Sequence, residues 1–413
     1  METTAGRGIV DRVQELALNS DSPQHYTRTY LTPAHRAASR AIAKWMREAG
    51  MRVREDAVGS VIGRYDASVA GAKTLLMGSH FDSVRNGGKF DGVLGILVPI
   101  ACVAELHRRG ERLAHAIEVA AFSDEEGARF QTSFLASRAL VDGTVSVAGL
   151  LQRRDAEGVA LGDAMRGAGL DAARADADRL DPSTLAAYVE LHIEQGPVLL
   201  DEGRALGVVT SIAAGLRYLV RVKGEAGHAG TVPMPRRRDA LAAAAEMVVA
   251  IERRCSAGGS LVGTVGVLRV KDGTANVIAG DVEFTVDIRA ADGAAHLAAA
   301  RDALAECGAI AKRRGVALEC TRTHEVANAP CAPWLQDLIA ASIERTIPGE
   351  AARRLPSGAG HDAMILARVT DVGMMFVRCG AGGVSHNPAE TVSVEDAELA
   401  YRALLDFVRA FRR

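Results

Sequence analysis

The sequence has almost no surplus of charge. Over 413 residues, 49 basic side chains face 51 acidic ones, a formal net charge of −2. That balance excludes the electrostatic footprint of a nucleic-acid binder or of a protein held on an anionic membrane. Cysteine is sparse and unpatterned. The six residues at 102, 255, 307, 320, 331 and 379 show no C-x-x-C spacing, so neither a disulfide framework nor a zinc ribbon is encoded. No uncharged stretch approaches the ~18 residues needed to cross a bilayer, and METTAGRGIVDRVQEL at the start lacks the apolar segment of a secretion signal. These absences suit a reducing compartment, and a cytoplasmic location is expected. There is no internal repeat and no low-complexity segment beyond alanine-rich helices.

What is present is a soluble globular composition, 48% hydrophobic and 24% charged, on a chain longer than one hydrophobic core organises. Two domains follow as the expectation. Thr32-Pro33 offers an N-cap with proline at the first helical position, opening a helix through Trp45 to Gly50. Thr74–Ser79, Ala116–Phe122, Tyr188–Ile193 and Val372–Val377 read as buried strands. Helices are expected at Val93–Arg109, near Thr132–Leu140 and at Val394–Phe411, with surface helices and loops over Val141–Asp181. Strands alternating with helices predict an α/β fold, a mostly parallel sheet covered on both faces. From about Ile212 the pattern changes. Leu216–Lys223 and Val282–Arg289 alternate polar and apolar residues, as half-buried antiparallel strands do, and alanine-rich helices lie at about 237–256 and 294–314. The economical organisation is one domain, residues 1–211 and 328–413, interrupted by an inserted α+β domain at 212–327.

Ligands in open parallel sheets bind beyond the carboxyl ends of the strands. Thr74–Ser79 runs into His80, followed by Asp82 and Asp91 in GSHFDSVRNGGKFDG. Ala116–Phe122 runs into Ser123-Asp124-Glu125-Glu126. His192 lies near the end of Tyr188–Ile193, and a glycine-rich loop after Val372–Val377 delivers His386. Taken singly these have ordinary explanations: a structural histidine, a solvated helix start, an Asp-Gly turn. Gathered at one end of one sheet, they make a His/carboxylate set suited to Zn²⁺, Mn²⁺ or Co²⁺, with carboxylates able to bridge two ions. A second group, His228, Asn276 and Arg289, falls in the inserted domain. There a core histidine and a surface ion pair are equally good readings.

GSHFDSVRNGGKFDG, FSDEEGARF, ELHIEQGPVL, GEAGHAGTVPM, NVIAGDVEFTVDIR, LPSGAGHDAM and GGVSHNPAE resemble, in this order, the signature segments of the hydantoinase/carbamoylase amidases. These are a branch of the metal-dependent aminoacylase and exopeptidase superfamily that includes N-carbamoyl-L-amino acid hydrolases, allantoate amidohydrolases and β-ureidopropionases. The resemblance spans roughly residues 75 to 390. It implies a dinuclear-metal catalytic domain and an inserted lid and dimerisation domain. It also implies two divalent ions per subunit (Zn²⁺, Mn²⁺, Co²⁺ or Ni²⁺), held by His80, Asp91, Glu126, His192 and His386, with Asp91 bridging. Asp82 would orient the His80 imidazole, and Glu125 would be the general base. His228, Asn276 and Arg289 fall on substrate-binding positions of the lid, and His228 in such proteins reaches the active site of the partner subunit of a homodimer. Gln195, Gly360 and His361 match segments lining the substrate pocket.

The chain departs from the usual wording at Ser83 and Arg85, where Thr and commonly Pro stand, and neither change removes a ligand. Arg85 and the VRCGAGG form of the last motif lean towards allantoate-type members. The implied activity is hydrolysis of the ureido C–N bond of a small carboxylate substrate, releasing ammonia and CO₂. Two alternatives stand beside it: an aminoacylase or aminopeptidase on the same fold, and a non-catalytic binding protein on this scaffold. Filled ligand and base positions count against the latter.

Overall fold

The computed structural model describes residues 4–256 and 261–412; residues 1–3, which begin the N-terminal stretch discussed above, lie outside it, as do 257–260 and 413. The chain forms two compact units. One comprises Met1–Thr210, Pro330–Leu355 and Gly360–Arg413; the other comprises Ser211–Ala329 with Pro356–Ala359.

The larger unit is built on a nine-stranded sheet. Its order is Arg52–Glu55, Val61–Tyr65, Ala116–Phe122, Thr74–His80, Leu185–Ile193, Val372–Val377, Leu206–Ile212 and Ala329–Pro330, with Arg353–Ser357 also pairing Leu206–Ile212. The central neighbours are parallel: Thr74–His80 with both Ala116–Phe122 and Leu185–Ile193, and Leu185–Ile193 with Val372–Val377. Antiparallel strands flank them, Val61–Tyr65 on one side and Leu206–Ile212 on the other. The expected α/β fold is thus present as a mixed, mostly parallel sheet. Thr74–His80 and Leu185–Ile193 are buried along their whole length, which is why they read as apolar runs without alternation.

Helix Leu94–Arg108 packs on this sheet and is apolar nearly all round. Helix Pro33–Glu48 starts where Thr32 accepts the His35 amide. Helix Ala5–Ala17 gave no signal singled out in the sequence. It is capped by Thr4 and buries Ile9, Val13 and Leu16, the spacing of one helical face. The helix expected near Thr132–Leu140 begins later, at Leu135. The Phe134 and Leu135 amides donate instead to the carbonyls of Glu125 and Asp124, and the Thr132 hydroxyl bonds the Asp124 carboxylate, so the preceding turn folds back over the acidic segment.

In the smaller unit, Ala214–Lys223 pairs along its length with Asp281–Ala290 on one side and Ala317–Val326 on the other, all antiparallel. The alternation predicted for Val282–Arg289 places Val282, Phe284, Val286 and Ile288 in the interior. Helices Ala240–Cys255 and Gly293–Arg314 bury their apolar faces in the same core. Gly227–His228 pairs with Val277–Ile278 as a separate two-stranded ribbon.

Candidate metal centre and active site

Parallel pairing aligns the ends of four neighbouring central strands, so ionisable groups collect at and just beyond their C-terminal ends. His80 stands opposite Phe122, and His192 opposite Phe376. Asp91 is the meeting point. Its Oδ1 lies 3.7 Å from His80 Nε2 and 3.3 Å from His192 Nε2, while its Oδ2 lies 3.2 Å from His386 Nε2. His386 Nε2 is also 3.2 Å from Glu126 Oε1. Among the groups of described residues that could hold a metal ion, two ligand sets therefore share one carboxylate, His80–Asp91–His192 and Asp91–Glu126–His386.

Whether these groups fit a cation can be tested on their hydrogen bonds. His192 Nδ1 lies 2.9 Å from the Ile193 carbonyl, which can only accept, so Nδ1 carries the proton and Nε2 carries a lone pair. That Nε2 is buried, has no hydrogen-bond partner among the described residues, and faces an Asp91 oxygen. Two electron-rich atoms set against each other in the interior fit a divalent cation between them. His80 is held the same way, its Nδ1 donating to the Asp82 carbonyl at 3.2 Å.

Asp82 does more than orient His80. Its Oδ1 is 3.5 Å from His80 Nδ1, but its better hydrogen bonds come from the Glu125 and Glu126 amides, at 3.0 and 3.2 Å. One carboxylate thus ties the imidazole to the turn that carries the two glutamates. Burial raises the Glu125 carboxyl well above the usual range; His80 opposes this, and Glu126, Asp362 and Asp82 reinforce it. Burial would also raise Asp91, but His386, His80 and His192 outweigh it and keep Asp91 ionised. His386 is pushed up to about 10, chiefly by Asp91 and then Glu126, a measure of how negative the pocket is.

Gln195 has a left-handed backbone (φ 59°), and its side-chain amide donates to both Asp91 oxygens, at 3.1 and 3.0 Å, and to Ser385 Oγ at 3.3 Å. His361 is buried with its ring 4.5 Å from that of His192, and burial holds it well below the usual imidazole range. Beside it, a side chain at Gly360 would meet the Phe134 ring at 2.8 Å. In the smaller unit, His228 is exposed and accepts the Gly230 amide at Nδ1, 3.0 Å away, which leaves Nε2–H as its outward donor. Asn276 precedes Val277, the register partner of His228, and the two lie side by side. Arg289 is gripped by Asp287 through Nε (3.0 Å) and Nη2 (3.2 Å), and donates from Nη1 to the Gly358 carbonyl.

Two carboxylates in the same region were not singled out in the sequence. Glu390 is buried and accepts from the Phe90 and Asp91 amides, at 2.9 and 3.0 Å, and from Ser385 Oγ at 2.7 Å. It ties the loop carrying Asp91 to the loop carrying His386. Glu190 is fully buried, bonded by Ser79 Oγ, Tyr188 Oη and the Ala363 amide, and burial lifts it to about 7. Its signal was available, as an acid inside an apolar strand; that of Glu390 was not, because its partners are backbone atoms 300 residues away.

The model of peptidase family M20/M25/M40 matches residues 69–410, and the chain belongs to this family. Within it, the resemblance to the hydantoinase/carbamoylase amidases is borne out. The chain is 41% identical to an N-carbamoyl-L-amino acid amidohydrolase of Geobacillus stearothermophilus, an alignment covering 97% of both. It is 40% identical to allantoate deiminase 2 of Glycine max, covering 97% of this chain and 88% of the relative. The crystal structure of a hydantoinase/carbamoylase family amidase from Burkholderia ambifaria superposes with a TM-score of 0.88 at 35% identity, over 99% of this chain and 98% of that one.

Proposed function

We propose that this protein is a dinuclear-metal amidohydrolase acting on the ureido group of a small carboxylate, an N-carbamoyl-L-amino acid or allantoate. The observation that carries the reading is the pair of ligand sets sharing Asp91, with Glu125 next to both His80 and Glu126. The names of its relatives supply the substrate class. His80, Asp91 and His192 would hold one ion, and Asp91, Glu126 and His386 the other. Divalent cations in such a site supply positive charge that acidifies water and polarises a carbonyl.

The chain's own residues do the rest. Glu125 takes a proton from the attacking water and delivers it to the departing nitrogen, so that R–NH–CO–NH₂ and water become R–NH₂, CO₂ and NH₃. Asp82 keeps Glu125 in reach by holding its amide. His228 offers Nε2–H to the developing oxyanion; Asn276 and Arg289 bind the substrate carboxylate, with Asp287 fixing the guanidinium plane. Gln195, Gly360 and His361 line the pocket. A homodimer formed through the inserted unit and a cytoplasmic location complete the proposal. No helix among the described residues is long and apolar enough to cross a membrane, and all six cysteines are free.

The test is ammonia release from N-carbamoyl-L-amino acids and from allantoate, with a dipeptide panel in parallel, after reconstitution with Mn²⁺, Co²⁺, Zn²⁺ or Ni²⁺. Ureido turnover that disappears on chelation is expected. Dipeptide cleavage without ammonia release would move the protein to the aminopeptidase class, and full activity after chelation would end the metal proposal.

A further inference from the structure

The smaller unit contains a cavity of about 720 Å³ whose wall is formed by two basic runs, Arg236-Arg237-Arg238 and Lys312-Arg313-Arg314. They are far apart in sequence but meet in space: a side chain on Gly315 would stand 3.8 Å from Arg238 Cγ. The second run has an ordinary explanation. It closes helix Gly293–Arg314, where cations offset the helix dipole, and both Arg313 and Arg314 pair with Glu246. The first run has no such helix end to offset. It lies just before helix Ala240–Cys255, at the positive end, where cations are unfavourable and where Asp239 already caps the helix.

Within this cluster Arg237 is committed to the carbonyls of Val232 and Ala229. Arg238 has only a distant carboxylate, Glu225 at 3.9 Å, with both side chains largely exposed. The Arg236 and Lys312 side chains have no hydrogen-bond or ion-pair partner among the described residues. Two carboxylates, Glu225 and Asp239, stand in the wall against six cations. In a chain of net charge −2, gathering like charges against a helix start is a local cost that a bound anion offsets.

We propose that this cavity is a binding site for a small multivalent anion of the phosphate-ester class, with Arg236, Arg238 and Lys312 as the ligating cations. Its volume falls within the range of small-molecule sites, roughly 300–1,000 Å³. The ligating cations, Arg236, Arg238 and Lys312, are none of the residues assigned to the reaction above.

The experiment is calorimetric titration of the metal-loaded protein with inorganic pyrophosphate at fixed ionic strength, comparing the natural chain with Arg236→Glu/Lys312→Glu. Any chelation at the metal centre is the same in both proteins, so the difference between them reports the cavity. Saturable binding weakened about tenfold or more in the double variant, with an unchanged unfolding midpoint, is the expected result. No saturable binding to the natural chain, or the same affinity in both proteins, overturns the proposal. So does binding confined to a DNA duplex and steeply lost with salt, which would mark a non-specific polyanion surface.

Discussion

Among single residues, Glu125 and Glu390 separate chemistry from support. Glu125→Gln keeps the shape and the Asp82 bond to its amide, so it should retain metal while turnover falls about 10²–10⁴-fold; metal content and initial rates measured on one preparation check both halves. Glu390 makes no contact with a reacting group, but it sets the backbone of Asp91. Glu390→Ala should weaken Co²⁺ binding to the metal-free protein about 10–100-fold, as losses of outer supports around metal ligands do. Gly88→Ala should have the same effect, because its new methyl group would collide with the Glu390 carboxylate. Combining the two substitutions should add little; additive losses would remove the link between them. At this scale the sequence revealed the ionisable side chains that the fold gathers at strand ends, His80, His192 and Glu125 among them. It did not reveal Glu390, whose work is done on main-chain amides that every residue possesses.

Among elements, the helix Pro33–Glu48 brings a buried histidine against the acidic turn. His35 Nε2–H donates to the Ser123 carbonyl at 2.8 Å, and its Nδ1 is buried with no hydrogen-bond partner among the described residues. Protonation would therefore add a buried charge with nothing to receive it, and burial lowers the group from 6.5 to about 4. Below pH 6.5 the unfolded chain takes up a proton that the folded chain refuses. The His35 contribution is complete above that pH and declines as pH falls towards 4. His35→Gln retains a donor and removes the titration. The stability advantage of the natural protein over this variant should shrink by about 2 kcal/mol between pH 7 and pH 5. Parallel urea midpoints across that range would mean that the folded chain protonates His35 as readily as the unfolded chain does. The helix itself was readable from Thr32-Pro33. The later start at Leu135 was not, because the preceding amides are spent on carbonyls of the acidic turn rather than on a helix.

On the scale of the molecule, each unit has its own hydrophobic core, and the ligand sets lie in the larger one alone. Ligands that bind only the folded state raise stability by mass action. Calorimetry should therefore show two transitions, of which only the larger unit's moves down on chelation and returns with added Zn²⁺ or Co²⁺. A single transition, or two that move together, would mean that the units unfold as one. The change from apolar runs to alternating strands made the insertion legible, since burial on two faces and on one face leave different periods. The mixed character of the large sheet was less visible, because short flanking strands carry no mark of direction.

The chain leaves the large sheet and re-enters it at neighbouring points: the Cys331 amide bonds the Thr210 carbonyl at 3.0 Å. The strand Val372–Val377, which separates Leu185–Ile193 from Leu206–Ile212, is the last of the sheet's strands in sequence order. During synthesis the sheet has a gap until that strand emerges, whereas every residue of the smaller unit, Ser211–Ala329 with Pro356–Ala359, precedes it. His386 follows the same strand, so the grouping of Asp91, Glu126 and His386 cannot assemble before that strand has been made. Under the dinuclear function proposed above, the nascent protein would be kept from capturing a pair of metal ions before its sheet is closed.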